Sequence, residues 1–302
     1  MNYNFFTLDH LSESRISDAL SSTLKVSQSS VDVADVDGDQ DHRNWEALIL
    51  CDCTRASGDV SLALDIFVQE MVSAQPTEAH CAALFASASG TVVLYPAEER
   101  VPSAYWLVTP EGLVTRTRLL ASDDEPPVYS IDAVEAAVPQ LPGVPVMLLP
   151  EIIREQHVSV PLTTELMSAA TQQRLANGLV LTDEVGNPLY EARVDLAEWE
   201  RMIRRMGTGW HPAGRYPKEL YQEALRARDR LELLSSSAPE PLLLLLRRAV
   251  GELDDEFRSH TEAGTPFTGV EEHGWWWHRR PVPLPWNGNG SASAQGTAGE
   301  RN

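Results

Sequence analysis

The stretch Tyr105–Leu119, YWLVTPEGLVTRTRL, decides the fold class that we predict for the first half of the chain. Two runs rich in β-branched and aromatic residues, Tyr105–Thr109 and Leu113–Leu119, flank the turn-forming tripeptide Pro110-Glu111-Gly112. This combination is typical of a β-hairpin. Apolar runs elsewhere in the same half predict further strands at Val31–Val36, Ala47–Cys53 and Val92–Tyr95. The first half is therefore expected to contain a β-sheet.

Helices are expected to flank this sheet. Apolar residues recur at about helical spacing across residues 9–25, which predicts an amphipathic opening helix. A second helix is predicted over Val60–Val72, whose apolar residues suit a helix and which Pro76 follows. The segment Ala79–Ala88 is compatible with a helix or a strand, and a short helix is expected around Ile131–Val138.

The boundary of the first domain is predicted from its prolines. The domain closes near Val144–Leu149, within the proline-rich stretch Pro139–Pro150 that is typical of a boundary. Residues 1–150 are thus predicted to form an α+β domain with a mixed or antiparallel sheet and flanking helices.

Residues 151–263 are expected to form a mainly helical second domain that contains one β-hairpin, residues 179–194. A helix that begins at Thr163 or Thr164 and ends at Ala176 precedes the hairpin, because Asn177-Gly178 is a typical helix end. The two strands and the turn of the hairpin are Leu179–Asp183, Pro188–Val194 and Gly186-Asn187.

Three more helices are predicted after this hairpin. Asp195 and Glu198 have the spacing of a capping box for a helix that ends at Gly207. Pro217 and Pro241 suit the first turns of two helices that are expected to pair with each other. The expected ends of these two helices are Leu234 and His260. A Trp/Pro-rich segment, residues 264–287, and a disordered tail, residues 288–302, are predicted to follow.

The charge of the chain is strongly acidic and uneven. The net charge is −20, and residues 1–150 hold 22 Asp and Glu against 7 Lys and Arg, whereas residues 151–302 hold 22 against 17. A negative surface repels nucleic acid and anionic lipid and attracts a basic partner. We therefore expect a protein partner with a basic surface, and neither nucleic acid nor membrane.

One run in the first domain carries acidic residues at alternate positions, Asp35, Asp37, Asp39 and Asp41. Together with Glu46 this run has the ligand spacing of a calcium-binding loop. Gln40 occupies the turn position that such a loop gives to glycine, and Arg43 would place a cation beside the metal. The pattern therefore favours a solvated acidic connection between two strands, and the four aspartates are predicted to be an electrostatic face for the partner.

The cysteines are compatible with a zinc site but do not favour one. Cys51 and Cys53 lie in a predicted strand, whose alternation sends both thiols to one face, and His80-Cys81 follows later. Small core residues are the favoured interpretation, and no cofactor is predicted. Three cysteines, no signal peptide and no apolar run longer than Leu242–Leu246 together predict a cytoplasmic protein.

The tryptophans of the C-terminal segment allow two interpretations. Trp275, Trp276 and Trp277 are predicted as an anchor for a partner, because tryptophan dominates interface hot spots. Alternatively the rings pack on their own domain, which the rarity of large exposed aromatic patches favours. The helix and hairpin over residues 163–194 resemble a winged-helix DNA reader, but that helix offers only Arg174 against Glu165 for binding phosphates.

Motifs of catalysis are missing from the sequence: it has no Gly-x-Ser-x-Gly elbow, phosphate-binding loop or dinucleotide fingerprint. The sequence therefore predicts a non-catalytic acidic protein that binds other proteins, as an adaptor, a chaperone or an inhibitor of a basic toxin. The alternative is a hydrolase or another enzyme whose site is assembled from scattered residues, with Asp35–Asp41 as holder of a metal.

Overall fold

The computed structural model describes residues 1–73, 75–97, 100–177, 187–237, 240–265 and 274–286. The chain divides into two compact units, Met1–His157 and Val158–Asn302. It contains both helices and strands, with a large mixed sheet, so the predicted combination of α and β structure is confirmed.

The first unit is built on a sheet of nine strands. These strands are β1 (Asn2–Thr7), β2 (Val31–Asp35), β3 (Ile49–Arg55), β4 (Ser57–Gly58), β5 (Leu62–Val68), β6 (Val93–Pro96), β7 (Ala104–Val108), β8 (Val114–Ala121) and β9 (Val128–Val134). Their order is β2-β3-β5-β1-β6-β7-β8-β9-β4. The β2–β3 and β4–β9 pairs are parallel and the other pairs are antiparallel, so the sheet is mixed.

The predicted hairpin is confirmed as β7 and β8. The two strands pair antiparallel, with Leu107 opposite Thr115. At the turn, Gly112 has a φ of +88° and donates its N–H to the Thr109 carbonyl at 2.9 Å. A side chain at residue 112 would be strained in this left-handed conformation, which explains the glycine.

Two predicted helices are wrong, because both segments are strands. Within Val60–Val72, the strand β5 alternates buried and more exposed residues with a period of two, and it lies between β3 and β1. Within Ile131–Val138, residues up to Val134 belong to β9, which pairs with β8. The strand β1 has no counterpart among the predicted strands, although its buried aromatic residues Tyr3 and Phe5 occupy alternate positions. Near Val144–Leu149, Val146 makes a parallel bridge to Val134.

Two helices cover one face of this sheet. The predicted opening helix is confirmed as α1 (Glu13–Leu24), which is capped by the Ser12 side chain, and Ala79–Ala88 belongs to α2 (Glu78–Ser89). Their apolar residues pack against Phe5, Cys51 and neighbouring residues in one buried cluster. The opposite face of β6 to β9 packs against the segment around Val138 in a second cluster. A short helix, α3 (Pro150–Glu155), follows and buries Ile152 against the sheet.

The second unit is mainly helical. Its helices are α4 (Pro161–Asn177), α5 (Pro188–Gly207), α6 (Lys218–Ser237) and α7 (Glu240–Ser259). The helices predicted before Ala176, after Pro217 and around Pro241 are confirmed. Two short strands, β10 (Thr261–Ala263) and β11 (Arg279–Pro281), pair antiparallel after them.

The predicted hairpin of the second domain is wrong in its second strand. Asn187 caps α5 with its side chain and Pro188 occupies the first turn, so residues 188–194 are helical. Asp195 and Glu198 therefore lie inside α5 and do not form a capping box. The first strand of that hairpin, Leu179–Asp183, and the predicted tail, residues 288–302, lie outside the described residues.

Candidate functional site

The four predicted aspartates lie together where β2 ends and the chain crosses to β3. We call residues 36–48 the acidic loop. Asp35 is the last residue of β2 and is partly buried, whereas Asp37, Asp39 and Asp41 are exposed on the loop. The structure thus places these aspartates at the end of β2 and on the connection to β3, as the sequence predicts.

Arg43 is the internal support of the acidic loop. Its side chain is only 5% exposed, and its Nε and Nη1 atoms donate to Asp32 at 2.8 Å and to Asp52 at 2.5 Å. Burial alone would lower the pKa of Arg43, but the hydrogen bonds to these two carboxylates raise it above its ordinary value. The guanidinium charge is therefore compensated by the carboxylates of Asp32 on β2 and Asp52 on β3, and it does not neutralise the exposed aspartates.

Hydrogen bonds within the loop hold its shape. The Gln40 Nε2 donates to the carbonyls of Asp35 at 2.8 Å and Gly38 at 3.1 Å. The N–H of Asp41 donates to the Asp39 carboxylate at 2.9 Å, an Asx turn that fixes the backbone locally. A loop ordered in this way loses less conformational entropy when it binds a partner than a flexible loop would.

The same loop carries an exposed tryptophan, Trp45, which was not among the predicted site residues. Trp45 is 60% exposed, and the Arg43 guanidinium carbon lies 4.6 Å from its ring centroid. This cation–π contact orients the ring while one face stays accessible. The sequence signal that points to Trp45 is its position in a polar, acidic connection between two predicted strands, where an exposed ring is expected.

The face of β3 and β5 that points away from α1 and α2 carries four further candidate residues, Leu50, Asp52, Asp65 and Phe67, which we call the open face. The register places Asp52 opposite Asp65 and Leu50 opposite Phe67. Asp65 is exposed and Phe67 is 47% exposed. Asp52 connects this face to the acidic loop through its ion pair with Arg43.

A cleft of about 480 Å³ opens at the same end of the sheet, where β2 and β3 end and α1 begins. Polar residues that line it include His10, Glu13, Asp35 and Arg55. The Arg55 Nε lies 3.8 Å from Asp35, and the Arg55 side chain is largely exposed. The cleft therefore offers groups of both charge signs to a small polar ligand.

The cysteines of the first unit are buried thiols. Cys51 and Cys53 point to the same face, as predicted, and their sulfur atoms are 3.9 Å apart. The hydrogen bond with Cys53 and burial raise the pKa of Cys51 well above its usual range, and burial raises the pKa of Cys81 to about 12. These two thiols are therefore protonated at neutral pH and are poor nucleophiles. Among the described residues, no three potential ligands from His, Cys, Asp and Glu are grouped to hold a metal ion.

The predicted tryptophan anchor lies in the core of the second unit. Trp276 and Trp277 are 4% and 3% exposed, and both indole N–H groups donate to the Asp229 carboxylate, at 2.8 and 3.0 Å. The Arg228 guanidinium stacks on the Trp276 ring at 4.1 Å. In this arrangement these two side chains are not accessible to a partner, whereas Trp275 is partly exposed.

No family model, curated protein or solved structure matches this chain. Function must therefore be inferred from the residues of the chain itself. In the part of the chain that the structure describes, none of the helices combines the length and the apolar character needed to span a lipid bilayer.

Proposed function

We propose that the protein is a non-catalytic binding protein that docks a basic partner protein on its acidic loop. The observation that carries the proposal is that the buried Arg43 forms its ion pairs with Asp32 and Asp52. Arg43 is therefore committed to these two carboxylates, and the carboxylates of Asp37, Asp39 and Asp41 are exposed on the loop.

The loop combines the two kinds of side chain that such binding needs. Exposed carboxylates accelerate the encounter with a basic surface and make it sensitive to salt. The exposed ring of Trp45 in the same loop supplies apolar contact area, and tryptophan is enriched among residues that dominate binding energy. The aspartates thus supply long-range attraction to the partner, and Trp45 of the same loop supplies a lasting contact with it.

The proposed role includes an adaptor, a chaperone or an inhibitor of a basic toxin, acting in the cytoplasm. A reducing compartment suits the free thiols of Cys51, Cys53 and Cys81. The negative charge disfavours nucleic acid and anionic lipid as partners for the same reason that it favours a basic protein.

The proposal is tested by capturing partners of the tagged protein from its own host at low and at high salt. The variant D37N/D39N/D41N is compared with D123N/D124N/E125Q, which removes the same number of exposed charges from the β8–β9 connection. We expect a stoichiometric basic partner that high salt releases, lost from the first variant and retained by the second. Equal retention by both variants, or no partner at either salt, would overturn the proposal.

The cleft at the end of β2 and β3 supports a second candidate, a hydrolase or another enzyme with a scattered site. His10, Glu13 and Asp35 supply groups that can transfer protons, and Arg55 can hold an anionic group. The test is a panel of ester, amide and phosphate substrates assayed with the wild type and with H10A and D35N, with and without added divalent metal. Turnover that both variants abolish would favour the enzyme, and absence of turnover across the panel would remove it.

A further inference from the structure

We infer that the partner also contacts the open face of the sheet, through a segment that presents Lys or Arg side chains on both sides of an apolar side chain. This inference rests on the proposed function and specifies the chemistry of the partner. The acidic loop adjoins the open face, because Arg43 of the loop is paired with Asp52 of the open face at 2.5 Å, and we treat the two regions as one surface.

The charges of this surface are unbalanced. Asp52 and Asp65 lie directly opposite each other on β3 and β5, where like charges repel. Arg43 is shared between Asp32 and Asp52, so a single guanidinium serves both carboxylates. Asp65 has no ion-pair partner among the described residues, and its other strand neighbour is the uncharged Asn4. A cation supplied by a partner would relieve this repulsion.

The same surface has an exposed apolar part. Phe67 lies beside Asp65 along β5 with one intervening residue, and its ring is 47% exposed opposite the partly buried Leu50. Side chains at alternate positions of a strand point to the same face, so Phe67 and Asp65 face a partner together. An extended partner segment that fits both therefore needs a basic and an apolar side chain at alternate positions, two residues apart, so that they lie on one face.

The surface is better suited to a basic protein segment than to other ligands. Nucleic acid would be repelled by Asp52, Asp65 and the loop aspartates, and a purely polycationic ligand would leave Phe67 and Trp45 without contacts. Basic and apolar side chains on the same face of one segment contact both the carboxylates and the exposed rings.

The test compares three labelled peptides of equal length by fluorescence anisotropy at low and high salt. They are built from the repeats Lys-Gly-Phe-Gly, Lys-Gly-Gly-Gly and Glu-Gly-Phe-Gly, which place both kinds of side chain on one face of an extended segment, and we call them the Lys-Phe, Lys-Gly and Glu-Phe peptides. We expect the Lys-Phe peptide to bind about tenfold more tightly than the Lys-Gly peptide, equivalent to about 1.4 kcal/mol. The Glu-Phe peptide should not bind. The variant F67S should weaken the preference for Lys-Phe, whereas L120S, which changes an exposed apolar residue of β8, should preserve it.

The outcomes separate this inference from the proposed function. Equal binding of Lys-Phe and Lys-Gly would overturn the role of the open face, while salt-sensitive loss of both in D37N/D39N/D41N would still support the acidic loop. Binding of neither cationic peptide would overturn the inference, and the host capture experiment tests the acidic loop independently of it.

The variant D65N provides a readout that does not depend on the folding of F67S. It removes the repulsion with Asp52, so we expect a higher midpoint of thermal unfolding together with weaker binding of the Lys-Phe peptide. Unchanged peptide affinity in a correctly folded D65N protein would overturn the assignment of Asp65 to the binding surface.

Discussion

The Arg116–Glu135 ion pair, near the start of β8 and just after the end of β9, is a buried interaction on which the stability of the first unit is expected to depend. The two side chains are 3% and 0% exposed, and the Arg116 Nη1 donates to the Glu135 Oε2 at 2.7 Å. The other carboxylate oxygen accepts the N–H of Leu149 at 3.3 Å, and Arg116 also donates to Gln156. The pair thus holds the segment around α3 against the sheet.

The substitution E135Q should destabilise the first unit by about 3–5 kcal/mol, because it removes the carboxylate charge that pairs with the buried Arg116 guanidinium. The amide oxygen of the new side chain can still accept the Leu149 N–H, so the loss measures the charge. R116M should produce a comparable loss, because it removes the guanidinium that pairs with the buried Glu135 carboxylate at 2.7 Å. The double variant R116M/E135Q should be no less stable than R116M, because no buried charge of the pair remains.

Hydrogen exchange of the β8 and β9 amides, followed by mass spectrometry across a urea series, reports the opening free energy of this part of the unit. A double-mutant cycle of the same variants gives the coupling between the two residues. D123N, at an exposed position of the neighbouring connection, is the control and should change little. The reasoning is refuted if E135Q costs less than about 1 kcal/mol, the value typical of an exposed ion pair, or if the two single losses simply add.

Three further predictions concern buried polar groups. Glu200 of α5 is fully buried and accepts the Thr163 N–H at 2.9 Å, which caps the start of α4. The substitution E200Q should therefore destabilise the second unit by about 1–3 kcal/mol, measured by urea unfolding followed by circular dichroism. A loss no larger than that of E198Q would contradict this prediction. D229N weakens the acceptor of two indole N–H groups and should shift tryptophan emission to the red; an unchanged spectrum would show that the rings do not depend on this carboxylate. Burial raises the pKa of Tyr3 and of Tyr216 from 10.0 to about 12. The stability that these two neutral phenols contribute is present below pH 10 and should be lost as the pH rises toward 12, so tyrosinate absorbance should appear together with unfolding. Ionisation of the tyrosines before unfolding would contradict this prediction.

The elements with local signals were predictable from the sequence. The β7–β8 hairpin has a Pro-Glu-Gly turn, and α6 follows a proline at a position that suits a helix start. The strand β5 was not predictable in this way, because Leu62, Ile66 and Phe67 suit a helical spacing as well as a strand. Its pairing with β3 and β1 decides between them, and those partners are distant in sequence.

The candidate site was predictable only in part for the same reason. The sequence places the aspartates of the acidic loop between two strands, but it does not show that Arg43 reaches Asp32 and Asp52. The open face depends on the register of β3 with β5, and the prediction of a helix at β5 concealed the opposition of Asp52 and Asp65.

The opposition of Asp52 and Asp65 allows two explanations of the acidic surface to be distinguished by experiment. If negative charge serves only solubility, an aspartate could lie at many positions, and removing Asp65 should improve stability without affecting binding. If the surface binds a basic segment, the repulsion is retained because the partner relieves it, and D65N should gain about 0.2–1 kcal/mol of stability while losing affinity. Urea unfolding and peptide titration of the same variant measure both quantities. A stability gain with intact affinity would assign the acidity to solubility, and a stability loss would show that the Asp52–Asp65 repulsion is already relieved within the chain.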